Sequence, residues 1–537
     1  MNFNKNKTEL FFILAIFLIS WLLRLDINGL SLEIPITIKA ADPFFHTSVT
    51  QGIIDTEQTI FMPYYLVEGH KDILDVHPYL NYITTAAITK ISKVPVWNNM
   101  YLLTTLYDSL GILIIFILCK RLFSSFWIAA FSAVIYAMPS PISKWWYNMN
   151  IGIWNNVAGL LFVYATLWLT YEYIRKPEKW KLFAISLLTA AAWLVHLAEL
   201  IMLGFFIAVL GLFILINKNS LKNKILNCII LGSSILISII LFWANYKEWS
   251  GFSRFGLSWN WSVLPQMPFF NTLWHFPLII VILLFIGLIL LFINYKKYKA
   301  ILIGESYLLV YLMILPLFLS SYYFFVRQRT ALPFIIAPIA AYGLYQIIQQ
   351  IFKNNNLTKN IVSAFSMIII FSYPLINGEY NSLKQTFSYS HLSQEKYNAL
   401  LWIQQNTPED AEILFLTGYY QASSQYSKRV GFVLDQPQLI ETIKEWQKDN
   451  IIPFILKIGD HGDTAPLSYK ISFLKHGHYD EKDKDKMNLL DFSHVLTNDF
   501  VPEIKIFNDA VNNILINNHN YTIIYDRDNI KILSRTK

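Results

Sequence analysis

The sequence has little cysteine and little charge, and both shortages limit what the chain can be. Its only two cysteines, Cys119 and Cys228, lie in hydrophobic runs, which excludes a disulfide framework and a cysteine-based metal site. Charged residues make up 15% of the chain and hydrophobic residues 55%, with a mean hydropathy of +0.40. This balance excludes an ordinary soluble enzyme and is typical of a polytopic membrane protein with some soluble mass.

The net charge of +7 does not indicate a nucleic-acid partner. The Lys and Arg residues collect in short loops between apolar runs, as the positive-inside rule expects for cytoplasmic loops. The first apolar run, Leu10–Leu25, follows Lys5 and Lys7 and has no small-residue cleavage site after it. We therefore expect a multi-pass protein of the cell membrane with a retained first span and a cytoplasmic N-terminus.

Hydrophobic runs between the basic loops predict about eleven transmembrane helices. The run Leu182–Asn217 is roughly twice the length of about 20 residues that one span needs, and basic loops flank both of its ends. It must therefore cross the membrane twice, with its turn near His196–Glu199 at the outer face. The expected spans are Leu10–Leu25, Met100–Cys119, Phe126–Met138, Trp154–Ile174, the two halves of Leu182–Asn217, Ile225–Trp243, Pro277–Asn294, Ala300–Phe325, Ala331–Phe352 and Ile361–Ile376.

Composition also divides the chain into two parts. Residues 1–378 form the predicted transmembrane domain, with a long first outer loop over residues 26–99 and an aromatic outer flap over residues 245–276. Residues 379–537 are less apolar and form a predicted extracytoplasmic α/β domain. Its expected elements are helices Ser393–Asn406 and Gln438–Lys448, strands Ile413–Leu416, Val430–Leu434 and Ile452–Ile458, and a terminal hairpin of Tyr521–Tyr525 with Ile530–Leu533.

The first outer loop carries the stretch Asp-Pro-Phe-Phe-His at residues 42–46. On a purely structural interpretation, Asp42 caps a helix and Pro43 is its first residue. The apolar side of that helix, lying on the membrane, would be Phe44, Phe45, Val49 and Ile53. On a functional interpretation, Asp42 and His46 share one helix face, where a carboxylate and an imidazole can do acid–base or metal chemistry. A second amphipathic segment, His77–Lys93, follows in the same loop.

Ionisable residues at two membrane edges also need an explanation. His196 and Glu199 interrupt an apolar stretch, where such residues are costly and are usually functional or paired. The structural alternative is a mutual contact that only satisfies the turn. Arg327 and Arg329 lie at an outer turn, against the positive-inside rule. Either they contact a substrate, or they anchor lipid headgroups.

Taken in order, these features resemble the GT-C glycosyltransferases. The fold class expected is a polytopic α-helical membrane protein with a C-terminal extracytoplasmic α/β domain. Within that superfamily the chain is most similar to the oligosaccharyltransferase catalytic subunit of archaea and its relatives. The resemblance runs from Arg24 to about Pro437, and three segments carry it: Asp42–His46, Leu400–Ala411 and Arg429–Asp435.

The resemblance implies inverting transfer of a sugar or oligosaccharide from a polyprenyl or dolichyl phosphate or diphosphate to a glycan or protein acceptor at the outer face. Asp42 matches the family's first acidic residue, a base or metal ligand, so a divalent cation (Mg²⁺ or Mn²⁺) is the candidate cofactor. Asp42 and His46 are the candidate catalytic residues. The candidate substrate-binding residues are Arg327 and Arg329 at the donor phosphate, which Arg binds bidentately, together with His77, Asn155, Asn156, His196 and Glu199.

Two motifs depart from that family. Asn155 stands where the family has its second acidic residue, and an amide oxygen is a poorer ligand for a hard cation than a carboxylate. Residues 415–420, Phe-Leu-Thr-Gly-Tyr-Tyr, replace the Trp-Trp-Asp-Tyr-Gly motif that holds an Asn-x-Ser/Thr acceptor. We therefore expect a transferase that does not read such sequons tightly.

Three alternatives stay open. The chain could be a divergent enzyme that N-glycosylates Asn-x-Ser/Thr sequons. It could instead be a transporter or flippase for lipid-linked glycans, although such proteins usually show paired halves and this sequence shows no internal repeat. The eroded motifs are also consistent with a non-catalytic scaffold in a glycosylation complex.

Overall fold

A computed structural model describes residues 3–27, 42–59, 78–138, 154–216, 220–241, 277–297, 332–381, 392, 394–415, 425–432, 494–498, 509, 512–513, 515–517, 520–527 and 530–535. Within them the chain forms thirteen helices and five strands. Four predicted elements lie outside the described residues: the span Ala300–Phe325, the outer flap at residues 245–276, the helix Gln438–Lys448 and the strand Ile452–Ile458.

Twelve helices precede residue 380. They are α1 (Phe3–Ile27), α2 (Asp42–Thr56), α3 (Leu80–Ser92), α4 (Val96–Phe123), α5 (Phe126–Ala137), α6 (Trp154–Arg175), α7 (Lys179–Val195), α8 (Leu197–Ile216), α9 (Leu221–Leu241), α10 (Leu278–Ile293), α11 (Leu332–Ile351) and α12 (Asn356–Ile376). A helix covers each predicted span that falls on described residues. By length and composition, four of these helices, α4, α6, α9 and α12, can cross a membrane. The total of about eleven spans stays a prediction.

The long apolar run breaks where its length and flanking charges predict. Helix α7 ends at Val195, and His196 adopts an extended backbone conformation with φ −156° and ψ 136°. Helix α8 begins at the next residue and packs back against α7. The break therefore places His196 and Glu199 together at the joint between two adjacent helices.

The membrane helices pack around a large apolar core that includes one buried ion pair. The Nε of Arg24 in α1 lies 2.5 Å from Oδ2 of Asp108 in α4, and both side chains are buried. Helices α10 and α11 approach closely, because Gly287 and Gly343 bring no side chain between them.

The C-terminal part forms a mixed sheet. Helix α13 (Gln394–Asn406) precedes strands β1 (Glu412–Phe415), β2 (Val430–Phe432), β3 (His494–Asn498), β4 (Tyr521–Arg527) and β5 (Ile530–Arg535). The strand order is β2-β1-β3-β5-β4, parallel from β2 to β3 and antiparallel from β3 to β4. Helix α13, β1, β2 and the terminal hairpin occur where the sequence predicts them. The central strand β3 was not predicted, while the domain boundary at residue 379 stays a prediction.

Helix α2 is present as predicted, but its apolar side is not laid on a membrane surface. Phe44, Phe45 and Val49 are buried in protein. Their cluster joins residues of α3, α4 and α6 to residues of the C-terminal part, among them Leu400, Ile403, Phe415 and Ile530. The helix that begins at Asp42 is therefore packed between the membrane helices and the C-terminal sheet.

Candidate functional site

The site is built outward from α2. This helix begins at Asp42, and Pro43 occupies its second position, where a fixed φ and a missing N–H fit the first helical turn. The side chain of Asp42 lies outside the described residues. One turn later, His46 is buried, and its Nδ1 lies 2.8 Å from the hydroxyl oxygen of Tyr82 in α3. The tyrosine thereby orients an imidazole on the helix that presents Asp42.

Helix α3 links α2 to α6 through two consecutive residues. Neighbouring side chains on a helix point about 100° apart, so they reach different elements. Tyr82 contacts His46 on α2, whereas the Nδ2 of Asn81 donates to Oδ1 of Asn155 on α6 at 2.6 Å. Both amide side chains are buried, so this bond satisfies polar groups that water does not reach.

Helix α6 repeats the arrangement at its own start. Asn155 contacts α3, and the adjacent Asn156 donates from Nδ2 to Oε1 of Glu199 at 2.6 Å. Gly159 makes room for that carboxylate, because a Cβ there would lie 2.9 Å from Cδ of Glu199. Gly159 therefore leaves space for the Glu199 side chain, and Asn156 fixes its position by a hydrogen bond.

Glu199 and His196 meet at the joint between α7 and α8. Oε2 of Glu199 lies 2.5 Å from Nδ1 of His196. The carboxylate side chain is 2% exposed and the imidazole 16%. Glu199 belongs to the first turn of α8, where the helix dipole favours a negative charge. Each carboxylate oxygen thus has a polar partner inside the protein: Oε1 accepts from Asn156, and Oε2 contacts the imidazole of His196.

These contacts form one chain of polar side chains across four helices. It runs His46–Tyr82, Asn81–Asn155 and Asn156–Glu199–His196, and sequence neighbours join the successive pairs. Five predicted site residues belong to it: His46, Asn155, Asn156, His196 and Glu199. The mutual His196–Glu199 contact foreseen as the structural alternative does exist, but it is extended by Asn156.

Four predicted site residues cannot be placed in this chain. The side chain of Asp42 and all of His77, Arg327 and Arg329 lie outside the described residues. Conversely, sequence reasoning missed Asn81 and Tyr82. Their signal in the sequence was weak. They are two residues with polar groups near the start of the predicted amphipathic segment, and nothing local shows what they contact.

The described side chains do not by themselves form a complete site for a divalent cation. Asn155, at the position of the family's second acidic residue, already uses Oδ1 to accept from Asn81. Over the part of the chain that the structure describes, no group of three or more His, Cys, Asp or Glu side chains is placed to hold a metal ion. The cation predicted at Asp42 stays a prediction.

Besides the apolar packing of α2, residues 425–429 of the C-terminal part make polar contacts with this helix. The Oε1 of buried Gln425 lies 2.9 Å from Oγ of Ser48 and 3.2 Å from Oγ1 of Thr47. At the other end of α2, Lys428 forms an ion pair with Asp55. The helix that presents Asp42 is therefore held at two points by the C-terminal part.

Two residues of that segment bind it to α13 and to the residue that follows α13. Arg429 donates from Nη2 to the carbonyl oxygens of Gln404 and Thr407, each at 2.7 Å, at the end of α13. The ring of Tyr426 packs edge-on against Tyr397, with centroids 5.2 Å apart. Burial raises the pKa of the Tyr426 phenol well above its ordinary value, so it stays neutral.

Solved structures with this fold are known, although no family model and no curated protein matches the sequence. ArnT from Cupriavidus metallidurans in the apo state aligns over 99% of this chain and 98% of its own, with a TM-score of 0.59 and 11% identity. ArnT bound to undecaprenyl phosphate aligns over 98% and 97%, with a TM-score of 0.50 and 10% identity. The oligosaccharyltransferase AglB from Archaeoglobus fulgidus, with an inhibitory peptide and dolichol-phosphate, has a TM-score of 0.50 and 12% identity.

These likenesses confirm the resemblance to GT-C glycosyltransferases at the level of the fold. At 10–12% identity they show the fold alone. The alignment with AglB covers 78% of this chain but 64% of AglB, so the chain spans less than two thirds of that protein's length.

Proposed function

We propose that this chain is a membrane glycosyltransferase that takes a sugar or oligosaccharide from a polyprenyl-linked donor at the extracytoplasmic face. One observation carries the proposal: on one side, the helix that begins at Asp42 is held by a buried polar chain that runs to Glu199 and His196, and on the other side it is held by the C-terminal part. Preorganised polar groups at the edge of an apolar helical bundle are what group transfer from a membrane lipid requires. The solved relatives support the donor class, since they were determined with undecaprenyl phosphate and dolichol-phosphate.

The transfer step forms one bond and breaks one bond. The acceptor oxygen attacks the anomeric carbon from the face opposite the phosphate, so a new C–O bond forms as the sugar–phosphate bond breaks. The electron pair of that bond leaves with the lipid phosphate, and the acceptor's proton goes to Asp42 as general base. His46 lies one turn away on the same helix, with its ring position set by Tyr82. Inversion at the anomeric carbon follows from this single displacement.

The leaving phosphate needs positive charge. We assign that role to Arg327 and Arg329, because guanidinium groups bind phosphate bidentately and their position at an outer turn breaks the positive-inside rule. Lys at position 329 keeps the charge but loses the fork, so donor affinity should weaken in Arg329→Lys and fall further in Arg329→Ala. Unchanged affinity in both, and in the matching Arg327 variants, would leave only a lipid-headgroup role.

The test is transfer from a radiolabelled polyprenyl-linked donor in membranes that contain the full chain. Asp42→Ala should abolish labelling. Asp42→Asn should also abolish it while keeping the fold, because Asn is an equally good helix N-cap but not a base. Near-normal transfer by Asp42→Asn would remove Asp42 from the chemistry. No transfer by the wild-type chain to any acceptor would favour a flippase or a scaffold instead.

A hydroxyl group of a glycan or protein is the acceptor we propose, because residues 415–420 lack the motif that holds a sequon. A hydroxyl needs only one general base, whereas an amide nitrogen is a much poorer nucleophile. The likeness to AglB keeps N-glycosylation as the second candidate. Peptides with Asn-Ala-Thr and Asn-Ala-Ala, offered beside a glycan acceptor, separate the two. Strong labelling of the Asn-Ala-Thr peptide alone would establish the second candidate.

A further inference from the structure

Asn156 carries a buried acceptor that receives no hydrogen bond from the described part of the chain. The residue is 1% exposed, its Nδ2 donates to Glu199, and within the described residues its Oδ1 has no hydrogen-bond partner. A buried polar atom that is left unpaired is costly and therefore calls for an explanation. Here the orientation of the amide is determined by its neighbour, because turning it over would place Oδ1 against a carboxylate. The free oxygen is thus held away from Glu199.

Glu199 beside it has more acceptor capacity than its contacts use. A carboxylate offers about four lone-pair sites, and the structure shows one bond from Asn156 and one contact with His196. Among the described residues, no Lys or Arg forms an ion pair with this acid. Tyr164 on α6 also interacts with it electrostatically.

We propose that Asn156 and Glu199 form a subsite for a sugar ring, with Oδ1 of Asn156 accepting one ring hydroxyl and the Glu199 carboxylate accepting another. Paired acceptors suit a polyol better than a phosphate, which carries negative charge and would be repelled by Glu199. The subsite rests on the transferase function proposed above. Contacts through Asn155, Asn81, Tyr82 and His46 connect the subsite to the helix that begins at Asp42.

The ring can belong to the donor or to an acceptor glycan, and one experiment distinguishes them. The full-length chain in nanodiscs is titrated with polyprenyl phosphate carrying mannose or glucose, and with bare polyprenyl phosphate as reference. Asn156→Leu removes the free acceptor. Glu199→Gln keeps one oxygen that can accept from Asn156, but it removes the charge and replaces the second acceptor oxygen with an NH2 group. Gly159→Ala keeps every polar group and pushes the carboxylate aside, because its Cβ would lie 2.9 Å from Cδ.

For a donor subsite, each variant should weaken binding of the sugar-bearing lipid about tenfold, the effect of one lost hydrogen bond, and leave bare lipid unchanged. For an acceptor subsite, donor binding should be unchanged and the KM for methyl α-mannoside should rise. Thr166→Val is the matched control, since it removes a buried hydroxyl from the same helix away from this site.

Three outcomes would overturn the assignment. Equal donor affinity and equal acceptor KM in all variants would mean that ordered water, rather than sugar, satisfies Asn156. A parallel loss of bare-lipid binding would show a general structural defect. A wild-type chain that binds no sugar-bearing lipid better than bare lipid, and transfers nothing, would instead reject the transferase function on which the subsite rests.

Discussion

The side-chain oxygen of Gln425 lies 2.9 Å from the hydroxyl of Ser48, although 377 residues separate the two in the chain. Thr47 reaches the same oxygen at 3.2 Å. One buried amide thus accepts from two consecutive residues of the helix that begins at Asp42. This contact ties the segment after the altered acceptor motif to the proposed catalytic helix.

Gln425→Leu should loosen α2 from the C-terminal part. The change removes the shared acceptor while keeping a side chain of similar size, and it costs about 1–3 kcal/mol of unfolding free energy. Transfer should fall together with the thermal midpoint of the detergent-solubilised protein. Gln405→Leu, at an exposed position of α13, is the control and should change neither. Wild-type behaviour of Gln425→Leu would show that the contact does not position α2.

Two tyrosine-to-phenylalanine changes should affect stability differently. The Tyr380 hydroxyl contacts the carbonyl oxygen of Leu23 and Oδ2 of Asp26, each at 2.9 Å, so Tyr380→Phe should cost about 1–3 kcal/mol. The buried Tyr426 hydroxyl has no hydrogen-bond partner among the described residues, so Tyr426→Phe should be neutral or stabilising. Equal losses in denaturant unfolding at pH 8 would contradict this difference.

The same tyrosine predicts a pH dependence. Burial raises the pKa of Tyr426 well above its ordinary value of 10.0, whereas in the unfolded chain it ionises near that value. The free energy of unfolding therefore falls as the pH rises past about 10, because only the unfolded chain can release the proton from this phenol. Tyr426→Phe should make the alkaline fall in stability shallower between pH 9 and pH 11. An unchanged slope would mean that the phenol ionises in the folded protein as well.

Removing one partner of the buried ion pair between Arg24 and Asp108 should lower the free energy of unfolding strongly, whereas replacing both with apolar residues should lower it little. Asp108→Ala leaves a guanidinium uncompensated inside the helical core, which should cost about 3–5 kcal/mol. The double variant Arg24→Met with Asp108→Leu removes both charges and should recover most of that loss. Thermal unfolding in detergent measures all three proteins. A double variant no better than Asp108→Ala would assign the pair a role beyond mutual charge compensation.

The close approach of α10 and α11 depends on glycine. A Cβ at Gly287 would lie 2.1 Å from the carbonyl oxygen of Ile339, so Gly287→Ala must push the helices apart. We expect a loss of about 1–3 kcal/mol. Gly232→Ala is the matched control, because nothing lies within 4 Å of its added Cβ; in α9 it should stabilise by up to about 1 kcal/mol through helix propensity. Similar thermal midpoints for both variants would contradict the packing.

The membrane orientation can be tested with single cysteines. In a background with Cys119→Ala and Cys228→Ala, Lys222→Cys should be shielded from a membrane-impermeant thiol reagent in intact cells, and Asn406→Cys should react. Both positions are exposed on the protein surface, so the membrane alone decides their access. The opposite pattern of labelling would reverse the orientation predicted from the Lys and Arg distribution.

Much of the helical framework could be predicted from sequence, because hydrophobic length and loop charge act locally. The break at His196 shows this: a run too long for one span, with basic residues at both ends, has to turn near its middle. The start of α2 at Asp42 was equally visible, since Asp followed by Pro suits the first turn of a helix. The strand β3 was not visible, because its place between β1 and β5 depends on pairing with distant strands.

By itself, the sequence determined the apolar helices and the order of the motifs, and it singled out five of the polar side chains that meet in the buried chain. Only the tertiary structure decided how they meet. Asn81 and Tyr82 became site residues because consecutive side chains on α3 reach two different helices. The orientation of the Asn156 amide is determined by Glu199, which lies 43 positions away in the sequence. Such contacts form between residues that share no local pattern, because the packing of helices, and not their periodicity, determines which side chains become neighbours.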